Sequence, residues 1–171
     1  IAQRLNNKYK LDFKLPEPFI PKVGAKIMSL VDPTKKMSKS DQNEKASIYL
    51  LDDPEVAYKK ILKAVTDSEN KIYISEDKPG ITNLLTIYSA LKNISLEKSE
   101  KLFKDKNYGE LKIAVAEVVK EFLIDIQNKY KIYYDQVFKL KDKGAKKASE
   151  VANKQLTKLM KGMGLNNESK F

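Results

Sequence analysis

Eight residues between Leu111 and Tyr133 constrain this chain more than its bulk composition does. Leu111, Val115, Val118, Val119, Phe122, Ile126, Tyr130 and Tyr133 follow one another in steps of one, three and four. At roughly 100° per residue they all fall on one side of an α-helix, whereas a strand would divide them between two faces. The spacing therefore predicts one long amphipathic helix and a mainly helical surrounding.

Other stretches carry the same signature. Ile1, Leu5 and Tyr9 recur at helical spacing from the first residue, so the chain opens inside a helix and further protein is expected upstream. Asp53-Pro54-Glu55 reads as a helix start: Asp53 can cap free N–H groups, Pro54 is pre-set for the first turn and Glu55 complements the dipole. Ala57, Ile61 and Val65, beside Tyr58 and Leu62, form its apolar stripe. Lys78-Pro79-Gly80 breaks the chain before a helix with Ile81, Leu84, Leu85, Tyr88 and Leu91 on one face. A shorter helix begins at the cap Ser95 and is expected to bury Leu96, Leu102 and Phe103. A last helix after Gly144 sets Ala145, Ala148, Ala152, Leu156, Leu159 and Met163 opposite Lys143, Lys147, Lys154, Lys158 and Lys161. Gly162 and Gly164 suit its ending, and Asn166 to Phe171 reads as a frayed tail.

Residues 11 to 45 differ in character. Pro16, Pro18 and Pro21 interrupt any helix, while Phe19-Ile20 and Lys26 to Leu30 read as short extended segments. A polar loop from Asp32 to Lys45 follows. With no cysteine and no histidine, the chain has no disulfide framework, no thiolate metal site and no imidazole base. No apolar run approaches the length of a membrane span. The net charge of +10 favours a polyanionic partner such as nucleic acid. A single arginine, Arg4, among abundant Lys, Asn and Ile is also what an AT-rich genome produces, so charge alone does not decide the matter.

The chemistry concentrates in Lys36-Met37-Ser38-Lys39-Ser40, which puts two ammonium groups and two hydroxyls into five residues of a loop. Such a group can surround a triphosphate. The lysines meet negative charge developing on a leaving pyrophosphate, and the hydroxyls donate to its oxygens. A mobile loop can close over ATP and open for release. The alternative is a solvated Lys/Ser loop, but chance supplies this string in roughly one of a few thousand chains of this composition.

The string resembles the second signature loop, KMSKS, of class I aminoacyl-tRNA synthetases. Its surroundings resemble the bacterial tryptophanyl-tRNA synthetases: Pro21-Lys22-Val23-Gly24-Ala25-Lys26-Ile27-Met28-Ser29-Leu30, then Asp32-Pro33-Thr34-Lys35. Leu50-Leu51-Asp52-Asp53-Pro54, Ala64 to Glu69, Lys78 to Leu85, Tyr108-Gly109 and Gly162 to Leu165 continue the resemblance in order. It implies a cytoplasmic, Mg²⁺-dependent homodimer that activates L-tryptophan with ATP and transfers it to its tRNA. Residues 1–47 would close a Rossmann-like catalytic domain, and residues 48–171 would form a helical anticodon-binding domain. Lys36, Met37, Ser38, Lys39 and Ser40 would hold ATP, Lys36 and Lys39 as the catalytic contacts to its phosphates, and Ile27 would meet adenine through its backbone. The family's N-terminal phosphate motif needs histidine and its tryptophan pocket lies upstream, so this chain is expected to hold part of an active site.

Other features admit two readings each. Tyr130, Tyr133 and Tyr134 could stack on RNA bases, but two of them continue the apolar stripe and core packing is expected. The lysine stripe Lys143, Lys147, Lys154, Lys158 and Lys161 could track a tRNA backbone or be a plain solvated face. Asp52, Asp53, Asp67 and Glu69 are expected to cap and terminate helices, and no residues are assigned to a metal. The rivals are a tyrosyl-tRNA synthetase, a non-catalytic helical RNA- or protein-binding module with a relic loop, and an adenylate-forming enzyme unrelated to tRNA.

Overall fold

The computed structural model describes residues 1–21 and 23–165, so Lys22 of the resemblance and the tail expected from Asn166 lie outside the described residues. The chain forms two compact units, residues 20–132 and, separately, Ile1–Phe19 with the chain from Tyr133 onward. It is mainly helical.

In residues 20–132 the helices form where caps and stripes ask for them. Helix α2 (Pro54–Leu62) starts on Asp53, whose carboxylate accepts from the Glu55 and Val56 amides, and it buries Ala57 and Ile61. Its stripe stops early. The chain leaves the helix after Leu62, so Val65 is exposed and its N–H donates to the Leu30 carbonyl instead, at 2.8 Å. Helix α3 (Pro79–Lys92) carries Pro79 in its first turn and ends on Asn93 in the left-handed conformation. Helix α4 (Leu96–Phe103) is capped by the Ser95 hydroxyl. It packs on α3 through a perpendicular Tyr88–Phe103 ring pair with centroids 5.0 Å apart and a buried Ser89–Ser99 hydroxyl bond of 2.7 Å. Leu102, expected inside, points to solvent, because Phe103 and Ser99 already occupy the face turned to α3.

The long helix is α5 (Tyr108–Tyr133), and it buries Leu111, Val115, Val118, Val119 and Leu123. Leu111, Val115, Val119 and Leu123 join Leu30, Ala57, Ile61, Ile81, Leu84 and Leu85 in one core. Toward its end the stripe is less deeply covered, with Ile126 half-buried. Phe122, Tyr130 and Tyr133 are exposed, so the core role expected for the tyrosines is not met, Tyr134 included. The extended segments also change. Among the described residues no strand forms around Phe19-Ile20 or Lys26 to Leu30, and only an isolated antiparallel bridge joins Met28 to Lys36. Met28 turns its N–H and C=O away from that bridge and into the side chain of Asn83, which takes the place of a second strand.

In the other unit, α1 (Ala2–Tyr9) ends at Lys10 in the left-handed region, and Asn6 pins the following turn through two bonds to Phe13 of 2.8 and 2.9 Å. After a single turn of 3₁₀ helix at Tyr134–Gln136, α6 (Val137–Gly162) starts seven residues before the expected Gly144, which lies inside it. Gly144 has open space around it and breaks nothing. Alone among the residues of α6, Leu159 is partly covered; the rest are exposed. No described helix is long and apolar enough to cross a membrane.

Candidate functional site

The loop 36–40 hangs from a short stem. Ser29 N–H donates to Lys35 O at 2.9 Å and Met37 N–H to Ile27 O at 3.0 Å, flanking the Met28–Lys36 bridge. The turn between the two arms is closed by Asp32, which accepts from the Thr34 hydroxyl at 2.6 Å and pairs with Lys35 at 2.9 Å. The Thr34 hydroxyl and then Lys35 hold the Asp32 carboxyl down at about 2. Leu30 N–H reaches Ala46 O at 3.0 Å, which anchors the stem in the helical core.

A second strip of chain, 47–52, grips the far side of the loop. The Ser47 hydroxyl donates to Ser38 O at 3.0 Å and the Tyr49 hydroxyl to Lys39 O at 3.3 Å. Lys60 of α2 fixes that strip by donating to Ser47 O and to the Asp52 carboxylate, at 2.9 and 2.8 Å. Gln127 of α5 fixes it again through the carbonyls of Leu50 and Asp52, at 3.1 and 2.8 Å. The carbonyls of Ser38 and Lys39 are thus tied down and Met37 packs against the core, while the polar side chains of the loop stay outward. Lys36, Ser38, Lys39 and Ser40 are all exposed, and among the described residues no carboxylate pairs with Lys36 or Lys39.

Five of the six residues expected to hold ATP, namely Ile27, Lys36, Met37, Ser38 and Lys39, line one open cleft of about 760 Å³. Ser40 does not line it; its hydroxyl lies 2.9 Å from that of Ser38. Gly24, Ile48, Leu50 and Tyr130 add a largely apolar lining. Gly24 adopts φ +76°, and a Cβ there would sit 3.0 Å from the Ala90 methyl, so only glycine lets the chain pass here unstrained. A cleft lined by ammonium groups and by apolar residues suits a molecule that is part anion and part flat ring.

The five lysines expected to meet RNA, Lys143, Lys147, Lys154, Lys158 and Lys161, are exposed along α6 within an arc of about 60° by helical geometry. Lys158 stands 3.4 Å from Asp12. Among the acidic residues, Asp53 is a cap as expected, but Asp52 anchors Lys60. Asp67 and Glu69 also depart from the expected terminating role. Asp67 lies 2.9 Å and Glu69 2.7 Å from Lys78, a lysine only 3% exposed, because the chain before Pro79 folds its side chain inward. Among the described residues no cluster of acidic groups could hold a metal ion.

Lys60 and Gln127 carry no motif that marks them in the sequence, and the block Lys78 to Leu85, though part of the resemblance, assigns no role to Lys78 or Asn83. Asn83 gives a further signal, as a polar residue beside Leu84 and Leu85.

A family model described as tRNA synthetases class I (W and Y) matches residues 1–124. The tryptophan–tRNA ligase of Mycoplasmopsis pulmonis is 52% identical over 150 residues, covering 88% of this chain and 45% of that protein. The tryptophan–tRNA ligase of Bacillus subtilis is 51% identical over 168 residues, covering 96% of this chain and 51% of that protein. The crystal structure of tryptophanyl-tRNA synthetase from Mycoplasma pneumoniae superposes with a TM-score of 0.90 at 39% identity, over 99% of this chain and 52% of that one. The chain spans about half the length of the relatives it matches. A family match over most of the chain, with the same backbone course in a solved relative, includes the stem, the loop and the helices that grip it: the chain belongs to the class I tRNA synthetases of the W and Y family.

Proposed function

We propose that this chain is the C-terminal part of a tryptophan–tRNA ligase and supplies the phosphate side of its ATP site. In the first step the carboxylate of L-tryptophan attacks the α-phosphorus of ATP, forming a mixed anhydride and expelling pyrophosphate. In the second, a terminal ribose hydroxyl of the tRNA attacks the activated carbonyl and AMP leaves. Lys36 and Lys39 meet the charge that grows on the pyrophosphate, Ser38 and Ser40 donate hydroxyl hydrogen bonds, and the backbone of Ile27 meets adenine. The charge so stabilised exists fully only as the bond breaks, so these contacts act on the transition state.

The observation that carries this reading is the common cleft: Ile27 and Lys36 to Lys39 open onto one space, with the two ammonium groups unengaged by carboxylates among the described residues. The relatives' names favour tryptophan over tyrosine. In this reading residues 1–47 close a Rossmann-like catalytic domain and residues 48–171 form the anticodon-binding domain. That functional border runs beside Ser47, where the strip from the helical side grips the loop. Mg²⁺ finds no ligand set among the described residues and would arrive on the phosphates of ATP as part of the substrate. The complete enzyme would work as a homodimer in the cytoplasm.

The test is tryptophan-dependent ATP–pyrophosphate exchange in the full-length protein, this chain joined to the N-terminal part its relatives carry. Lys36→Ala and Lys39→Ala should each slow exchange by about two to three orders of magnitude. Exchange within a few-fold of wild type in both would overturn the phosphate role.

A further inference from the structure

We infer that Asn83 of α3 is a positioning residue for the nucleotide, fixing the Ile27–Met28 platform against which the loop closes. This rests on the function proposed above. Asn83 is 4% exposed, and its carboxamide is fully committed to one residue 55 positions away. Its Oδ1 accepts from Met28 N–H at 2.8 Å and its Nδ2 donates to Met28 O at 2.9 Å. This is the pattern a neighbouring strand would offer, compressed into one side chain.

The consequence follows from where Met28 sits. It is bridged to Lys36, and the two bonds around that bridge hold Ile27 O to Met37 N–H and Ser29 N–H to Lys35 O. Ile27, Lys36 and Met37 all line the cleft. A shift of Met28 therefore moves both the residue set against adenine and the root of the lysine loop. Asn83 is itself held in place by a braced helix start. Pro79 opens α3, Lys78 just before it is locked between Asp67 and Glu69, and Thr82 donates its hydroxyl to Ser75 O at 3.0 Å. The helical core thus reaches the nucleotide site through one amide group. Without it, Met28 keeps two peptide groups in a half-buried place with no partner of matching shape, and the stem must twist or take up water.

A merely structural role for Asn83 would lower stability and treat all substrates alike. A positioning role should fall on ATP. In the full-length protein, KM for ATP and KM for tryptophan in the exchange reaction would be compared among wild type, Asn83→Ala, Asn83→Asp, Ser89→Ala and Lys36→Ala. Asn83→Asp has the same shape but sets a carboxylate oxygen against Met28 O, so it tests the contact where the alanine variant folds poorly. Ser89→Ala removes a buried hydroxyl bond from the same helix without touching the platform. Both Asn83 variants should raise KM for ATP about tenfold and leave KM for tryptophan within about twofold, with Ser89→Ala changing neither. Equal shifts in both constants, or a KM for ATP within twofold of wild type while Lys36→Ala abolishes exchange, would sink the inference. Full exchange in Lys36→Ala would instead strike the proposed function itself.

Discussion

The ammonium of Lys78 lies 2.9 Å from the carboxylate of Asp67 and 2.8 Å from the hydroxyl of Tyr108, which itself donates to Asp67 at 2.6 Å. This triangle, with Glu69 on the far side of the lysine and the Tyr73 ring 4.7 Å from it, closes the space between the 66–77 loop and the starts of α3 and α5. Burial by itself would push the lysine down, but the bonds to Glu69, Tyr108 and Asp67 outweigh it and hold its pKa well above the ordinary value. Removing the cation deprives both carboxylates of the buried charge they share, leaving Asp67 with the Tyr108 hydroxyl and Glu69 with that of Tyr73. Lys78→Met should lower the melting temperature of the chain by about 5–10 °C, and Tyr108→Phe should cost less, about 1 kcal/mol. Thermal unfolding followed by circular dichroism checks the order, and a Lys78→Met midpoint equal to wild type would mean that the triangle contributes nothing.

The same triangle has a pH signature. Burial raises the Asp67 carboxyl, yet the Tyr108 hydroxyl, Lys78 and the Glu69 amide together bring it down to about 2. A carboxyl whose folded pKa lies below its unfolded value of about 3.9 stabilises at pH above that value and loses the contribution as pH falls through the folded one. Wild-type stability should therefore decline from about pH 5 down to about pH 2. Asp67→Asn should flatten that decline by about 2 kcal/mol across the window, without abolishing it, because Asp32 and Glu69 are lowered too. Urea midpoints at several acid pH values measure it; parallel curves for variant and wild type would contradict the assignment.

Two glycines should respond oppositely to the same change. A Cβ on Gly80 would fall 2.3 Å from the Val65 carbonyl oxygen, where α3 presses on the backbone of the preceding loop. Gly80→Ala should cost about 1–3 kcal/mol. Gly144 sits in the interior of α6 with nothing within 4 Å, so Gly144→Ala should gain about 0.5–1 kcal/mol in helix stability. Denaturant titrations of the two variants should move their midpoints in opposite directions.

What sequence reveals here is local and periodic. The Asp53-Pro54 start, the Ser95 cap and the stripe from Leu111 to Val119 each follow from neighbours in the chain, and each forms as expected. The failures occur where a distant partner decides. The stripe keeps its period to Tyr130 and Tyr133, yet both are exposed, and period alone cannot say so. Lys26 to Leu30 has strand-like residues, but the second side of Met28 is met by a side chain 55 positions away. Of the candidate site, the loop lysines are legible as a motif and Ile27 only through the family resemblance. The grip on the loop by Ser47, Tyr49, Lys60 and Gln127 is not, because single polar residues on helix faces look like any solvated surface.

The lysine stripe separates two physical possibilities that exposure alone leaves equal. Lys143, Lys147, Lys154, Lys158 and Lys161 share one side of α6, and Lys158 is already turned toward Asp12. Changing Lys143, Lys147 and Lys154 to Gln therefore removes charge without breaking that pair. If these lysines meet phosphates, tRNA binding by the full-length protein weakens while ATP–pyrophosphate exchange stays near wild type. The log–log dependence of affinity on salt also becomes shallower, by about 0.7–0.9 for each phosphate no longer neutralised, because fewer counterions are released. Residues that read bases would behave otherwise, relaxing anticodon preference with little change in slope. Anisotropy titrations at several salt concentrations distinguish these outcomes. An affinity and slope that match wild type in the triple variant would make the stripe a solvated face, and the RNA surface would then have to be built from other residues of the helical region.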